Sequence, residues 1–224
     1  MEKFALIVGG GQGLRFGGEV PKQFQLLDGR PVLFRSIDLF SSIADRVVVV
    51  IPQPQFEYFQ SLVNQFGLNI APEKFHLVAG GSTRTESVAN GLNALSGDGV
   101  VAIHDAVRPL ATTQLVHAAF GEAAIHGSAV PVIPVRDSLR KTTDAGSLAV
   151  DREQYAAVQT PQCFDYTRLV SAYREHLSGS FTDDASLFES TGGQVHLIPG
   201  ENSNIKITWP EDLLFAEAIL KLRN

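Results

Sequence analysis

The segment FALIVGGGQGLRFGG, residues 4–18, joins an apolar run directly to a loop of glycines. Residues 4–8 have the composition of a buried β-strand, and residues 9–18 form the loop that follows it. In an open α/β sheet, a glycine-rich loop at the carboxyl end of a strand marks the crevice where ligands bind. Glycines let the backbone approach a ligand closely and direct successive N–H groups at an anion. The segment therefore predicts an α/β protein with an anion-binding loop.

Short apolar runs alternate with amphipathic stretches in the rest of the chain. The run RVVVVI at Arg46–Ile51 is apolar on both faces, which is typical of a strand covered on both sides of a parallel sheet. The alternation predicts a Rossmann-like α/β fold, with a mostly parallel sheet and helices on both faces. The predicted strands are residues 4–8, 46–51, 75–79, 99–103, 128–133 and 194–198. The predicted helices are residues 31–40, 55–66, 83–95, 112–126, 166–176 and 182–190, and a last one from residue 210.

The alternation is interrupted between residues 134 and 157. Residues 134–142 alternate with period two, residues 143–146 supply turn chemistry, and an apolar run follows. This pattern predicts a β-hairpin inserted at about residues 135–155. A lone hairpin is marginally stable, so we expect it to serve as a dimerisation arm that leans on a second subunit; an ordinary surface hairpin is the alternative. Residues 1–224 are otherwise expected to form a single domain.

Composition excludes several classes of protein. The 224 residues carry a formal net charge of −6, which argues against general nucleic-acid binding. A single cysteine, Cys163, excludes an internal disulfide framework and is interpreted as a small buried hydrophobe. No apolar run reaches the roughly 18 residues of a membrane helix, and the N-terminus lacks a signal-peptide pattern. We therefore expect a soluble, cytoplasmic protein without membrane or nucleic-acid partners.

The glycine loop matches neither of two familiar nucleotide-binding motifs. The third glycine of a dinucleotide fingerprint would fall on Phe16 or Leu14, and the lysine of a P-loop is absent after Gly13. What remains is a glycine loop that carries Arg15 and is followed by Lys22, and these two cations suit a polyphosphate. The alternative is a tight turn with solvated charges.

Charged and hydroxyl residues follow two more of the predicted strands. The turn at residues 80–87 offers backbone groups and the Ser87 hydroxyl to a nucleobase, or it serves only to cap the next helix. Asp105 ends the strand at residues 99–103, where a carboxylate can hold ribose hydroxyls or a metal-bound phosphate. Arg108 would pair with Asp105 or with phosphate. Lys206 lies between two isoleucines, and its spacing alone favours a solvated side chain.

Taken together, these motifs resemble the 2-C-methyl-D-erythritol 4-phosphate cytidylyltransferases of the non-mevalonate isoprenoid pathway. The matching blocks keep the family's order along nearly the whole chain: residues 9–23, 80–87, 104–109, 134–141, 151–164, 182–189 and 204–217. The chain departs from the commoner pattern at Gly9-Gly10, at Phe24, at Ser138, and at Ser82, where an acidic residue helps to read cytosine.

The resemblance implies a reaction and a set of site residues. CMP would pass from CTP to 2-C-methyl-D-erythritol 4-phosphate, with Mg²⁺ bridging the CTP phosphates and no metal ligand assigned to the protein. The enzyme would be a homodimer in which the arm embraces its neighbour and Ser138 reaches the partner's site. Implied catalytic residues are Arg15, Lys22, Arg152 and Lys206. Implied nucleotide-binding residues are Gly9, Gly10, Gly11, Gly81, Ser82, Ser87, Asp105 and Ala106. Implied residues of the acceptor site are Asp105, Arg108, Ser138, Arg152, Thr160, Thr182 and Lys206.

Three other functions remain open from the sequence. A ribitol 5-phosphate cytidylyltransferase would share the nucleotide half, although residues 151–162 and 182–185 resemble the methylerythritol enzymes more closely. A non-catalytic nucleotide-sensing module is expected to lack one of two pairs of cations, Arg15 with Lys22 or Arg152 with Lys206. Both pairs are present in this chain. A purely structural dimer would have no reason to keep the glycine loop with Arg15 and Lys22.

Overall fold

The computed structural model describes residues 1–10, 16, 20–176 and 181–223. The strands are β1 (Glu2–Val8), β2 (Leu26–Leu27), β3 (Arg30–Pro31), β4 (Arg46–Ile51), β5 (Phe75–Ala79), β6 (Gly99–Asp105), β7 (Ser128–Pro134), β8 (Arg140–Thr143), β9 (Gly146–Ala149), β10 (Ala156–Val158), β11 (Gln162–Asp165) and β12 (Leu197–Pro199). The helices are α1 (Val32–Ser41), α2 (Phe56–Phe66), α3 (Arg84–Asn93), α4 (Thr113–His126), α5 (Tyr166–Glu175), α6 (Asp184–Ser190) and α7 (Glu211–Arg223).

Within the described residues, eight strands form the central sheet, in the order β10-β7-β11-β6-β1-β4-β5, with β12 paired to β7 as well. Strands β5, β4, β1 and β6 run parallel to one another. Strand β11 runs antiparallel to both of its neighbours, β6 and β7, so β7 is parallel to β6. The predicted mostly parallel sheet is confirmed, and the carboxyl ends of β1, β5 and β6 share one edge of it.

Helices cover both faces of the sheet because the central strands are apolar on both sides. On β1, Ala5 and Ile7 pack into a core with α1, α2 and α4, whereas Phe4 and Leu6 pack into a second core with α3, α5 and α6. All four of these side chains are fully buried. The predicted arrangement of helices on both faces is therefore confirmed. None of the helices in the described part of the chain is long and apolar enough to cross a bilayer.

The inserted hairpin consists of β8 and β9, paired antiparallel as a separate two-stranded sheet. Every residue of both strands is exposed. The hairpin predicted within residues 135–155 is therefore present, with its paired strands at residues 140–149 in a sheet of their own.

Strands β10 and β11, the two strands that follow the arm in the chain, were not predicted. Both run antiparallel to β7. β11 is four residues long, QCFD, and alternation over so short a run is too weak to indicate a strand. Further along, β12 is the residue range Leu197–Pro199 rather than the predicted 194–198, and α6 begins at Asp184, with the Asp183 side chain as its N-cap.

Candidate active site

The loops that leave β1 and β5 and the end of β6 enclose a cavity of about 240 Å³, here called the glycine cavity. Its position at the carboxyl edge of a parallel sheet is where open α/β folds bind ligands. Its lining residues are Val8, Gly9, Gly10, Lys22, Gln23, Gly81, Ser82, Thr83, Arg84, Ser87, Asp105, Val107 and Lys206.

At two glycines of this cavity there is little or no room for a side chain. A Cβ atom on Gly9 would lie 3.1 Å from Cγ2 of Ile51, and one on Gly81 would lie 2.3 Å from Cβ of Glu86. The Gly9 N–H donates to the Val50 carbonyl at 2.8 Å, which fixes the loop to the neighbouring strand. The backbone therefore lines the cavity itself and leaves room for a ligand.

The turn before α3 is held by its own side chains. The Ser87 hydroxyl accepts the Gly81 N–H at 3.0 Å and donates to the Thr83 carbonyl at 2.8 Å. Thr83 caps α3, as predicted, by accepting the Glu86 N–H. The Glu86 carboxylate accepts the Ser82 hydroxyl at 2.6 Å, and this hydrogen bond lowers the pKa of Glu86. An acidic group therefore lies beside residue 82, although the residue itself is a serine.

A second cavity, of about 310 Å³, adjoins the first and is here called the threonine cavity. It shares Arg84, Asp105 and Lys206 with the glycine cavity. Its other lining residues are Arg108, Val158, Gln159, Thr160, Gln162, Thr182 and Asp183. Two ligands bound side by side would therefore meet at the three shared side chains.

Asp105 lies at this junction between two cations. Its Oδ2 is 2.8 Å from the Lys206 Nζ and 3.5 Å from the Arg108 Nε. Burial alone would raise the pKa of the Asp105 carboxyl, but the Lys206 ammonium and the Arg108 guanidinium lower it to about 2. Burial lowers the pKa of Arg108, and Asp105 opposes that shift. The carboxylate is therefore ionised at neutral pH and holds both cations in place.

A buried histidine supports the end of β6. The Thr160 Oγ1 accepts the Asp105 N–H at 3.0 Å and lies 3.1 Å from Nδ1 of His104, whose Nε2 lies 3.1 Å from the Arg108 carbonyl. Burial lowers the pKa of His104 to about 4, so its ring is neutral at pH 7. Because the Arg108 carbonyl can only accept, the neutral ring carries its proton on Nε2 and accepts the Thr160 hydroxyl at Nδ1. This chain of hydrogen bonds fixes the backbone that carries Asp105.

Arg84 lines both cavities, and sequence reasoning assigned it no role. Its guanidinium makes two hydrogen bonds to the buried Asp184 carboxylate, at 3.0 and 2.5 Å, and the Tyr173 hydroxyl donates to the same carboxylate at 2.5 Å. Burial alone would lower the pKa of Arg84, but Asp184 raises it. Burial and Asp184 both raise the pKa of Tyr173. Arg84 is thus a fixed cation whose orientation depends on a residue far away in the sequence.

Lys22 also lines the glycine cavity. Its Nζ donates to the Ile207 carbonyl at 3.0 Å, which brings the short helical turn at Lys22–Phe24 against the segment that carries Lys206. The neighbouring Gln23 is buried, and its amide donates to the Gly9 carbonyl at 3.2 Å. Lys22 and Lys206 thus stand on the same cavity although the sequence separates them widely.

The structure brings most of the predicted site residues together. The glycine cavity contains six of them, Gly9, Gly10, Lys22, Gly81, Ser82 and Ser87, in addition to the shared Asp105 and Lys206. The threonine cavity adds Arg108, Thr160 and Thr182. The predicted Gly11 and Arg15 lie outside the described residues.

Three predicted residues do not line these two cavities. Ala106 is fully buried, with its N–H bonded to the Val8 carbonyl, so its side chain packs behind the glycine loop. Ser138 and Arg152 lie on the exposed arm, because the chain leaves the sheet between β7 and β10. The Arg152 Nη1 donates to the Arg136 carbonyl at 2.6 Å, within the arm itself.

The described lining residues of the joined cavities carry more positive than negative charge. Lys22, Arg84, Arg108 and Lys206 face the carboxylates of Asp105 and Asp183. Asp183 is already engaged, because it accepts the Gln162 amide and the Ser186 N–H. Burial raises the pKa of the Cys163 thiol, so this fully buried residue behaves as the small hydrophobe expected from the sequence. The arrangement suits two anionic ligands whose charges meet at fixed cations.

Comparison with known proteins identifies relatives along the whole chain. The family profile of 2-C-methyl-D-erythritol 4-phosphate cytidylyltransferase matches residues 4–222. The cytidylyltransferase of that name from Bacteroides fragilis is 43% identical over 223 residues, covering 98% of this chain and 100% of its own. The one from Porphyromonas gingivalis is 42% identical over 220 residues, covering 98% of both chains.

Solved structures of similar proteins share the fold. The 4-diphosphocytidyl-2C-methyl-D-erythritol synthase of Anaerococcus prevotii superimposes with a TM-score of 0.83 at 28% identity, covering 98% of this chain and 96% of its own. The 2-C-methyl-D-erythritol 4-phosphate cytidylyltransferase of Thermus thermophilus gives a TM-score of 0.78 at 32% identity, covering 99% and 100%.

Proposed function

Because the chain belongs to the 2-C-methyl-D-erythritol 4-phosphate cytidylyltransferase family, we propose that it transfers CMP from CTP to 2-C-methyl-D-erythritol 4-phosphate. The products are 4-diphosphocytidyl-2-C-methyl-D-erythritol and pyrophosphate. The structural observation that supports this function is the pair of adjoining cavities, which share Arg84, Asp105 and Lys206. CTP occupies the glycine cavity and the acceptor occupies the threonine cavity. Residues 1–224 act as one nucleotidyltransferase domain that carries the arm, and the proposal includes a cytoplasmic location.

The first task of the site is to bring two anions together. Lys206 lies at the junction of the cavities, and its ion pair with Asp105 orients the ammonium group. Arg84 lies there too, and its ion pair with Asp184 orients the guanidinium group. Both cations are in position before the ligands bind, so little reorganisation is needed when negative charge develops in the transition state. Lys22 and Arg15 act on the CTP phosphates, while Arg108 acts on the acceptor.

The chemical step is an in-line displacement at the α-phosphorus of CTP. A phosphate oxygen of the acceptor forms the new P–O bond, the bond to the β-phosphate oxygen breaks, and pyrophosphate leaves with that electron pair. The attacking oxygen is largely deprotonated near pH 7, so no general base is required. Catalysis therefore consists of positioning and of charge stabilisation.

The donor groups of the glycine cavity fit a phosphate-bound Mg²⁺. Magnesium is usually held by one or two carboxylates together with substrate phosphates and water. Asp105 is an ionised carboxylate on this cavity, and it would hold the ion jointly with the CTP phosphates. The ion would supply neutralisation of the triphosphate charge.

The arm is proposed to complete the site of a second subunit. Ser138 and Arg152 line neither cavity of their own chain, and all residues of β8 and β9 are exposed. In a homodimer formed through residues 135–155, these two side chains would reach the partner's acceptor phosphate.

Mixing two inactive variants tests this arrangement. Lys206→Ala and Arg152→Ala should each lose activity, and their mixture should regain it, because each hybrid dimer holds one site with both residues intact. Two copies of the same variant, mixed in the same way, provide the control. An inactive mixture that contains hybrid dimers would show that Arg152 does not act across the interface.

The proposed reaction is tested by identifying the product. The protein is incubated with CTP, Mg²⁺ and 2-C-methyl-D-erythritol 4-phosphate, and phosphorus NMR follows the appearance of a diphosphodiester together with pyrophosphate. Replacing CTP by UTP or ATP should abolish or greatly slow the reaction. Pyrophosphate release that occurs equally without the acceptor would contradict the proposal.

A further inference from the structure

Three metal-binding side chains meet at the edge of the sheet opposite the cavities. Glu122 and His126 lie one turn apart on α4, and His196 immediately precedes β12. His126 also precedes the start of β7, and β7 runs parallel to β6. The cluster therefore lies at the amino edge of the sheet, whereas the active site lies at the carboxyl edge.

The donor atoms of this cluster converge. The Glu122 Oε2 lies 3.3 Å from the His126 Nε2 and 3.4 Å from the His196 Nε2, and the three donors all lie within 4.8 Å of one another. Both measured separations exceed the usual length of an N–H···O hydrogen bond, about 2.7–3.2 Å. Two ligands of a tetrahedral zinc ion, each about 2.0–2.1 Å from the metal, stand about 3.3 Å apart. The two separations are therefore compatible with a cation shared by the three donors.

Secondary structure holds the backbone at all three residues. The His196 N–H donates to the Ser128 hydroxyl at 2.9 Å, and the His196 carbonyl accepts the Val130 N–H at 2.8 Å, so β7 fixes the backbone on both sides of this residue. His126 ends α4, which closes at Gly127 in the left-handed conformation. The two imidazole rings stack with centroids 3.9 Å apart. Binding requires only that these partly exposed rings splay, so that both Nε2 lone pairs point to one ion.

We propose that Glu122, His126 and His196 form a transition-metal site, with Zn²⁺ as the natural occupant of two imidazoles and one carboxylate. Imidazole nitrogen suits Zn²⁺, Ni²⁺ and Cu²⁺, whereas Mg²⁺ prefers oxygen ligands. The site is thus chemically distinct from the phosphate-bound Mg²⁺ of the reaction. Its bound ion would tie the end of α4 to the segment that leads into β12, and it would act on stability rather than on catalysis.

The test measures Zn²⁺ binding to the full chain in the absence of CTP, by calorimetry after treatment with a chelator. We expect one equivalent of Zn²⁺ per chain. Zn²⁺ at about a hundredfold above its Kd should raise Tm by roughly 5 °C or more. His126→Asn and His196→Asn should each weaken binding by about tenfold or more and remove the Tm shift. His117→Asn, an exposed histidine on the same helix, is the matched control and should bind Zn²⁺ like the unaltered chain.

Proton NMR of the histidine rings gives a second measurement that does not depend on any variant. Of the six histidines in the chain, His126 and His196 should shift or broaden first as Zn²⁺ is added. The proposal is overturned if other histidines respond first, if His126→Asn binds Zn²⁺ as tightly as the unaltered chain, or if no binding is seen up to millimolar Zn²⁺.

Discussion

The Lys206 ammonium lies 2.8 Å from the Asp105 Oδ2, at the point where the glycine and threonine cavities join. Asp105 is the last residue of β6, a strand of the parallel part of the sheet, and Lys206 lies on an irregular segment that comes about a hundred residues later. The pair places a fixed positive charge where the phosphates of two substrates would meet. The ionised Asp105 carboxylate orients this charge and that of Arg108, while Asp184 orients Arg84.

Replacing Lys206 by Gln should therefore reduce catalysis strongly. We expect kcat to fall by about 10²–10³, the usual cost of removing one group that stabilises transition-state charge. The side chain is 46% exposed, so the fold should survive. The measurement is the initial rate of pyrophosphate release, with Lys221→Gln on α7 as the control. A folded Lys206→Gln variant with an unchanged kcat would remove this residue from the mechanism.

Lys22→Ala should also lower kcat by about 10²–10³, because the side chain lines the glycine cavity, where the CTP phosphates are proposed to bind. Single-turnover rates at saturating CTP separate this effect from weaker nucleotide binding. Lys74→Ala is the control, since Lys74 precedes β5 at the opposite edge of the sheet. If Lys22→Ala changed only KM for CTP, the residue would bind the nucleotide without acting on the transition state.

Asp184→Asn should destabilise the protein and also impair catalysis. The buried carboxylate accepts hydrogen bonds from both Arg84 and Tyr173, and breaking a buried ion pair costs about 3 kcal/mol or more. Tyr173→Phe removes one hydrogen bond and should cost on the order of 1–2 kcal/mol while leaving Arg84 in place. Urea unfolding gives both free energies, and kcat is measured in parallel. Equal activity in the two variants would show that Arg84 needs no orientation by Asp184.

The buried His104 should make stability depend on pH. Burial lowers its folded-state pKa from 6.5 to about 4, so between these values the unfolded chain binds a proton that the native protein does not. The free energy of unfolding should therefore fall as the pH drops from 6.5 to 4, by an amount on the order of 3 kcal/mol from this residue.

Urea unfolding at several pH values compares the unaltered chain with His104→Gln. Between pH 6.5 and 4, the free energy of unfolding of His104→Gln should depend less on pH than that of the unaltered chain, whatever its value at pH 7. The control variant His117→Gln should keep the full pH dependence. If His104→Gln showed the same pH dependence as the unaltered chain, His104 would not be its source.

The part of the site at the sheet edge could be predicted because topology fixes it. Gly9 follows β1 and Asp105 ends β6, and these parallel strands place their carboxyl ends together. Arg84 was missed because its orientation depends on Asp184, a hundred residues later, and no local spacing reveals that pair. The role of Arg152 stays a prediction, since it depends on a second subunit.

The strands show the same contrast between features set by neighbouring residues and features set by residues far away in the sequence. The strand Arg46–Ile51 was predicted to the residue because five successive β-branched apolar residues follow Arg46, and all five are buried in the structure. β11 was missed because its four residues take their place from pairing with β6 and β7, and that pairing lies outside any local pattern.

The most direct test of the central claim compares two acceptors side by side. Pyrophosphate release is measured with CTP, Mg²⁺ and either 2-C-methyl-D-erythritol 4-phosphate or ribitol 5-phosphate, over a range of each acceptor. We predict release with the methylerythritol phosphate and a kcat/KM that is far lower with the ribitol phosphate. A higher kcat/KM with ribitol 5-phosphate would contradict the assignment of the acceptor.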